Sequence, residues 1–187
     1  MPIKPLSGAI LLLASLIAGC APDAPPPQPS LFAGLPVSGT IEDARRAGFN
    51  DCAELEERRP RCQRHGVSLF GQGPFEAAVD FKGPKGVSGF DQVTLWHDTD
   101  KRALYKVIEV LDRQGWRYCY TGTESAGDQA VFTREGAPVR FSMDISYYGK
   151  RRLRIIPQWN KRELDRPCQP ETSLVRFGIA DQRKSRN

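Results

Sequence analysis

The sequence predicts an α+β domain in two layers: a mainly antiparallel sheet with one long helix packed on a face, and a short N-terminal helical segment ahead of it. Three observations carry this. Six segments between residues 75 and 159 alternate apolar and polar side chains with the period of half-buried strands. The links between the last four are short and rich in turn formers, and short links join only antiparallel neighbours. One stretch, 99–114, switches to helical spacing and supplies the second layer.

The elements follow in chain order. Met1 to Lys4 carry one positive side chain, and the uncharged run "LSGAILLLASLIAG" that follows is shorter than the roughly 20 residues a membrane-spanning helix needs. Small residues at its end mark a processing site. The order Ile17, Ala18, Gly19, Cys20 resembles the lipobox of bacterial lipoproteins. That resemblance implies that residues 1–19 are a signal peptide, that Cys20 becomes the N-terminus, and that its sulfur carries a diacylglycerol. An ordinary secretory signal is the alternative. Several acyl chains anchor stably where one holds only marginally. Position 21 is Ala rather than the aspartate that retains lipoproteins at the inner membrane, so the resemblance implies the periplasmic face of the outer membrane. Residues 20–37 are too proline-rich to pack and read as a tether, about 3.1 Å per residue when extended.

A single domain is expected over 38–168, with 169–187 a basic, disordered tail. In "TIEDARRAGF", Thr40 is a plausible N-cap, acids occupy the first turn and Gly48 suits the end, giving a two-turn helix. "NDCAELEERRP" reads as a further short turn. "FEAAVDF" and "FDQVTLWH" are strands, the second with Val93 and Leu95 on one face and Thr94 and Trp96 on the other. Over 99–114, Leu104, Val107, Ile108 and Leu111 form one stripe, Asp98 or Thr99 caps the start and Gly115 the end. Strands "WRYCYTG", "QAVFTRE", "VRFSMDISYY" and "RRLRIIPQW" follow. In the third, Val139, Phe141, Met143, Ile145 and Tyr147 oppose Arg140, Ser142, Asp144, Ser146 and Tyr148.

The chain holds 27 Lys plus Arg against 22 Asp plus Glu, and residues 150–187 alone hold 11 against 4, so the excess is C-terminal. An exported chain meets no nucleic acid, whatever its charge. Besides Cys20, four cysteines (Cys52, Cys62, Cys119, Cys168) argue for two disulfides in an oxidising compartment. Of three connectivities, Cys52–Cys62 and Cys119–Cys168 are favoured, because the first brackets a short polar segment and the second ties the tail to a strand. No C-x-x-C occurs and His65 and His97 lie at no ligand spacing, so neither a metal nor a cofactor is expected.

Three groups of residues are site candidates. "WHDTD" crowds His97, Asp98 and Asp100 beside Trp96, which would suit a hydrolase using His97 with Asp98, or simply satisfy free amides at a helix start. Arg140, Lys150, Arg151, Arg152 and Arg154 form a basic set that could meet an anionic polymer or an acidic protein, or pair with acids such as Asp144 across strands. Trp96, Tyr118, Tyr120, Tyr148 and Trp159 could form a contact patch, or be covered by the tail returning to bring Cys168 to Cys119. No nucleophile-elbow, zincin or phosphate-loop motif occurs.

The pattern of helix then strands over 40–97 resembles small periplasmic α+β lipoprotein domains of the SmpA/OmlA type, which implies an accessory role in the outer membrane. The expectation is therefore a membrane-anchored, non-catalytic module binding an envelope protein or anionic polymer. Alternatives are the envelope hydrolase and an inhibitor of a peptidoglycan-lytic enzyme. Mass spectrometry of membrane-extracted protein is expected to find an acylated N-terminus at Cys20. A Cys20→Ser variant is expected in the soluble fraction, and an unacylated chain starting at Met1 would contradict the reading.

Overall fold

Two four-stranded meanders meet edge to edge and make one antiparallel sheet. The structure, a computed structural model, describes residues 30–54, 59–100, 102–122, 127–145, 151–158 and 169–170. After the hairpin β1 (Ser30–Phe32) and β2 (Leu35–Ser38) and helix α1 (Ile41–Arg46), the first meander is β3 (Asp51–Glu54), β4 (Pro60–Leu69), β5 (Gln72–Phe81) and β6 (Phe90–Trp96). Helix α2 (Ala103–Arg113) leads to the second: β7 (Arg117–Tyr120), β8 (Gln129–Thr133), β9 (Val139–Asp144) and β10 (Leu153–Pro157). With β11 (Gln169–Pro170) the sheet runs β11-β7-β8-β9-β10-β6-β5-β4-β3. The mainly antiparallel expectation stands, with few helices.

Direct partners across antiparallel strands share a face. One row therefore joins Cys52, Cys62, Val79, Val93, Ile155, Phe141, Phe132 and Tyr118. Most of it is fully buried: this is the core face. The adjacent row, Gln63, Ala78, Thr94, Arg154, Ser142, Val131 and Cys119, lies on the opposite, polar face. On the core face, α1 packs against β4, α2 against β5, and β2 against β6 and β10.

Several expectations need correction. Residues 30–37, read as tether, form the β1–β2 hairpin, and Leu35 and Val37 sit in the core. The turn between its strands places Ala33 and Gly34 at φ 49° and 81°, as a two-residue hairpin of the I′ type requires. Phe32 then enters an aromatic cluster, with ring centres 6.0, 6.1 and 5.8 Å from Phe70, Trp116 and Phe141. "NDCAE" is not a helical turn but strand β3, paired to β4 with Cys52 opposite Cys62 and bonded to it. Its core-facing cysteine and its ladder outweigh the helical propensity of the glutamates. The long helix expected over 99–114 is the eleven-residue α2, and its N-cap is Arg102, with no side-chain cap from Asp98 or Thr99. Leu104, Val107 and Leu111 are its buried stripe, as the spacing predicts.

The two halves repeat a sequence. "IEDARRAGFNDC" at 41–52 and "IEVLDRQGWRYC" at 108–119 match at Ile, Glu, Arg, Gly and Cys, and pair Phe49 with Trp116. The backbone repeats too: Phe49 N–H donates to Ala44 O at 3.0 Å and Trp116 N–H to Leu111 O at 3.1 Å, each past a glycine with positive φ. The strands then fall out of step, so Cys52 faces the core and Cys119 the polar face.

Helix α1 starts as predicted. Thr40 and Asp43 form a reciprocal capping box: Asp43 N–H donates to Thr40 Oγ1 at 3.3 Å and Thr40 N–H to Asp43 Oδ2 at 2.7 Å. At the other end Arg64 of β4 donates to Ala47 O at 2.7 Å, a cation on the last turn. The Thr40 backbone hydrogen bond, with lesser help from the Thr40 hydroxyl and Arg46, lowers the Asp43 pKa below its usual 3.8. Since the folded pKa is the lower one, the stabilisation is complete above the unfolded value and is lost as pH falls through the folded one. In acid titrations followed by denaturant melts, Asp43→Asn is expected to remove part of the stability loss below about pH 4. Thr40→Ala is expected to cost about 1 kcal/mol at pH 7.

Candidate docking face

Polar residues cover the side of the sheet away from the helices because each alternates with a core residue along its strand. Arg61 flanks Cys62, Asp80 flanks Val79, Gln92 and Thr94 flank Val93, and Arg154 flanks Ile155. Among the described residues, both helices and the β1–β2 hairpin lie on the other side, so no described element crosses this face.

Its charges are paired. Arg154 holds Asp144 through both ends of its guanidinium, Nη1 to Oδ1 at 2.6 Å and Nη2 to Oδ2 at 3.1 Å. Arg61 Nη1 lies 3.1 Å from Asp80 Oδ1, while Gln92 Nε2 donates to Asp80 Oδ2 at 3.0 Å. His65 Nδ1 contacts Glu76 Oε2, and Ser142 hydrogen-bonds Gln129. The two arginine–aspartate pairs are about one-fifth exposed and so partly desolvated; Arg154 and Asp144 are hydrogen-bonded at both ends of the fork, whereas Arg61 and Asp80 meet as an ion pair outside hydrogen-bond geometry.

The Arg61 guanidinium also sits 5.8 Å from the centre of the Trp96 ring. In register Arg61 opposes Asp80 and Trp96 opposes Glu76. To meet, the two long side chains must reach over the small residues between them, Ala78 and Thr94, which are 0% and 2% exposed. The result is a half-buried indole laid on the sheet and flanked by a guanidinium.

The sequence candidates divide accordingly. Trp96, Arg140 and Arg154 share the polar face, and Arg152, just before β10, is exposed. Arg151 instead donates to Asp144 O at 3.2 Å and lies 5.1 Å from the Tyr105 ring of α2. Tyr118 and Tyr120 pack edge to face on the core side, so they form no patch with Trp96. Cys20, Cys168, Tyr148, Lys150 and Trp159 lie outside the described residues. Of the cysteines, Cys52–Cys62 is formed, and Cys119 is disulfide-bonded.

"WHDTD" builds a turn. His97 Nδ1 accepts from the backbone N–H groups of Thr99 at 3.3 Å and Asp100 at 3.0 Å, which places the ring proton on Nε2. Asp98 Oδ1 accepts from Trp96 Nε1 at 3.2 Å, and Asp100 Oδ1 from Arg102 N–H at 2.7 Å. The nitrogen that a hydrolytic His–Asp pair would use is thus engaged by backbone, and the hydrolase alternative gains nothing from this geometry. Among the described residues, no three His, Cys, Asp or Glu side chains are placed to hold a metal ion, and no helix is long and apolar enough to cross a membrane.

Sequence reasoning missed Arg61, Asp80 and Gln92. The signal was present in "PRCQR", where polar residues flank Cys62 with period two. Comparison with known proteins finds no match: no family model, no curated protein and no solved structure is similar to this chain.

A double-mutant cycle of Asp144→Ala with Arg154→Ala is expected to give a coupling of about 1 kcal/mol, between that of exposed and buried pairs. Each single variant should lose more than the double variant's half, because it strands a partly desolvated charge. Additive losses in chemical denaturation would show that the fork contributes nothing.

Proposed function

We propose that this chain is a lipid-anchored envelope protein, held at the periplasmic face of the outer membrane, that binds a partner protein without catalysing a reaction. The observation that carries the reading is the Arg61–Trp96 platform on the polar sheet face. Trp and Arg are the residue types that dominate binding energy at protein interfaces. The lipobox read from the sequence, with the proline-rich run ahead of the β1–β2 hairpin, supports the anchoring.

A partner protein fits better than an anionic polymer. Arg154 and Arg61 already hold Asp144 and Asp80, so a polyanion must compete with a carboxylate at each site. A protein surface needs no such exchange. It can add hydrogen bonds to Gln63 and cover the indole.

Inhibition of a peptidoglycan-lytic enzyme is the second reading, and the β5–β6 loop favours it. That loop closes on itself through Lys82 N–H to Gly89 O at 2.8 Å and Ser88 N–H to Lys82 O at 3.2 Å, and it holds Val87 71% exposed. A rigid loop with an apolar tip suits insertion into a cleft.

A photo-crosslinking residue placed at position 63, 87 or 113 of the anchored chain separates these readings. Capture of one protein from position 63, reduced at least tenfold by Trp96→Ser with Arg61→Ala, is expected. Capture from position 87 alone supports the inhibitor. Equal capture from all three positions, including 113 at the end of α2, would contradict both.

A further inference from the structure

The sheet beneath it is not all that holds the Trp96 indole. Its N–H donates to Asp98 Oδ1 at 3.2 Å. Asp98 is in turn placed by a loop that His97 closes, because His97 Nδ1 accepts from the backbone N–H groups of Thr99 at 3.3 Å and Asp100 at 3.0 Å. Asp100 Oδ1 accepts from Arg102 N–H at 2.7 Å and ties this turn to the N-cap of α2. The ring therefore has a fixed edge at Asp98, the Arg61 guanidinium 5.8 Å from its centre, and the small residues Ala78 and Thr94 below.

We infer that the 97–100 turn belongs to the docking site: His97 and Asp98 are positioning residues that fix the Trp96 indole with its N–H already satisfied, and the partner covers the ring with a neutral, apolar side chain. This rests on the reading that a protein docks on the polar face, and it specifies the group that protein brings to the platform.

The chemistry of that group follows from what surrounds the ring. A donor covered without an acceptor loses its bond to water and gains nothing in exchange. An indole N–H aimed at solvent would thus require an acceptor from whatever lies over it; Asp98 removes that requirement. Charge is balanced at the ring. Glu76 opposes Trp96 on the β5 side, and exposed Arg152 continues the β10 ladder one step past Leu153, on the other side of Trp96. Arg61 and Arg152 thus stand against Glu76 and Asp98, two of each sign, so a cation or an anion placed on the ring meets like charge as well as unlike. An aliphatic or aromatic side chain meets no such opposition and gains by removing the ring from water. Because the ring is already held in one orientation, little of its freedom remains to be lost on docking. His97, the residue that suggested hydrolysis in the sequence, on this account aims an indole.

Two NMR measurements on the full, oxidised chain test this. Asp98→Ala is expected to speed exchange of the Trp96 indole N–H with water by about fivefold, and His97→Ala to do the same, because His97 acts on the indole through Asp98. His97→Asn, whose side-chain oxygen can accept the same backbone N–H groups, is expected to restore the slow rate. Exchange unchanged in His97→Ala, or equally fast in His97→Asn, would overturn the positioning role. In titrations with the N-acetyl amides of leucine, arginine and aspartate at equal concentration, the leucine probe is expected to move the Trp96 ring resonances further than either charged probe. A charged probe that moves them as far would overturn the assigned chemistry. Both results are read on the chain alone, so their failure is distinct from a failure of partner capture at position 63.

Discussion

Everything in this molecule depends on the antiparallel pairing of β6 with β10. Among the described residues, three ladder partners, Leu95 with Leu153, Thr94 with Arg154 and Val93 with Ile155, join the two meanders in the sheet, each otherwise a run of local hairpins. The junction makes the core continuous, because Val93 and Ile155 extend the buried row from Val79 to Phe141. It equally makes the polar face continuous, because Thr94 and Arg154 extend the row from Ala78 to Ser142. Arg154 and Thr94 thus sit at the centre of the surface to which function is ascribed.

How much of this was legible in the sequence depended on how pure each periodicity was. β9 alternates most cleanly, and the faces assigned to Val93, Thr94, Phe141 and Ser142 are the observed ones. β4 was hidden because Gln63, Arg64, His65 and Gly66 interrupt its alternation, and because the ladder to β5 shifts register between Arg64 and Val67. β1 and β2 were hidden by the prolines and glycine around them, although Leu35 and Val37 are core residues. The start of α2 was misplaced because the acids and His97 of "WHDTD" serve the preceding turn rather than the helix itself. The repeat between 41–52 and 108–119 was in plain view, but only a comparison of the chain with itself brings Gly48 onto Gly115 and Phe49 onto Trp116.

For the candidate site, composition misled where geometry did not. A formal charge of +5 points to a polyanion, yet Arg61 and Arg154 each hold a carboxylate, so the described face offers shape, an indole and amides more than net charge. Charge pairing across strands is a property of register, and the register of β4 on β5 shifts at irregularities between Arg64 and Leu69 that the alternation of the sequence does not show. Trp96 was found from its alternation with Leu95; its neighbour Arg61 is 35 residues away and could not be found that way. The same distance argument applies to the polar-facing direction of Cys119, which follows from its place in the ladder beside Val131.

Native-state hydrogen exchange tests the central junction most directly. If β6–β10 pairing fuses the two meanders into one cooperative body, the ladder amides of Val93 and Ile155 exchange only through global unfolding, with the free energy measured in a single denaturant transition. Exchange of the β3–β6 amides at one free energy and the β7–β10 amides at a distinctly lower one, with two transitions, would show that the halves are separate and the account is wrong.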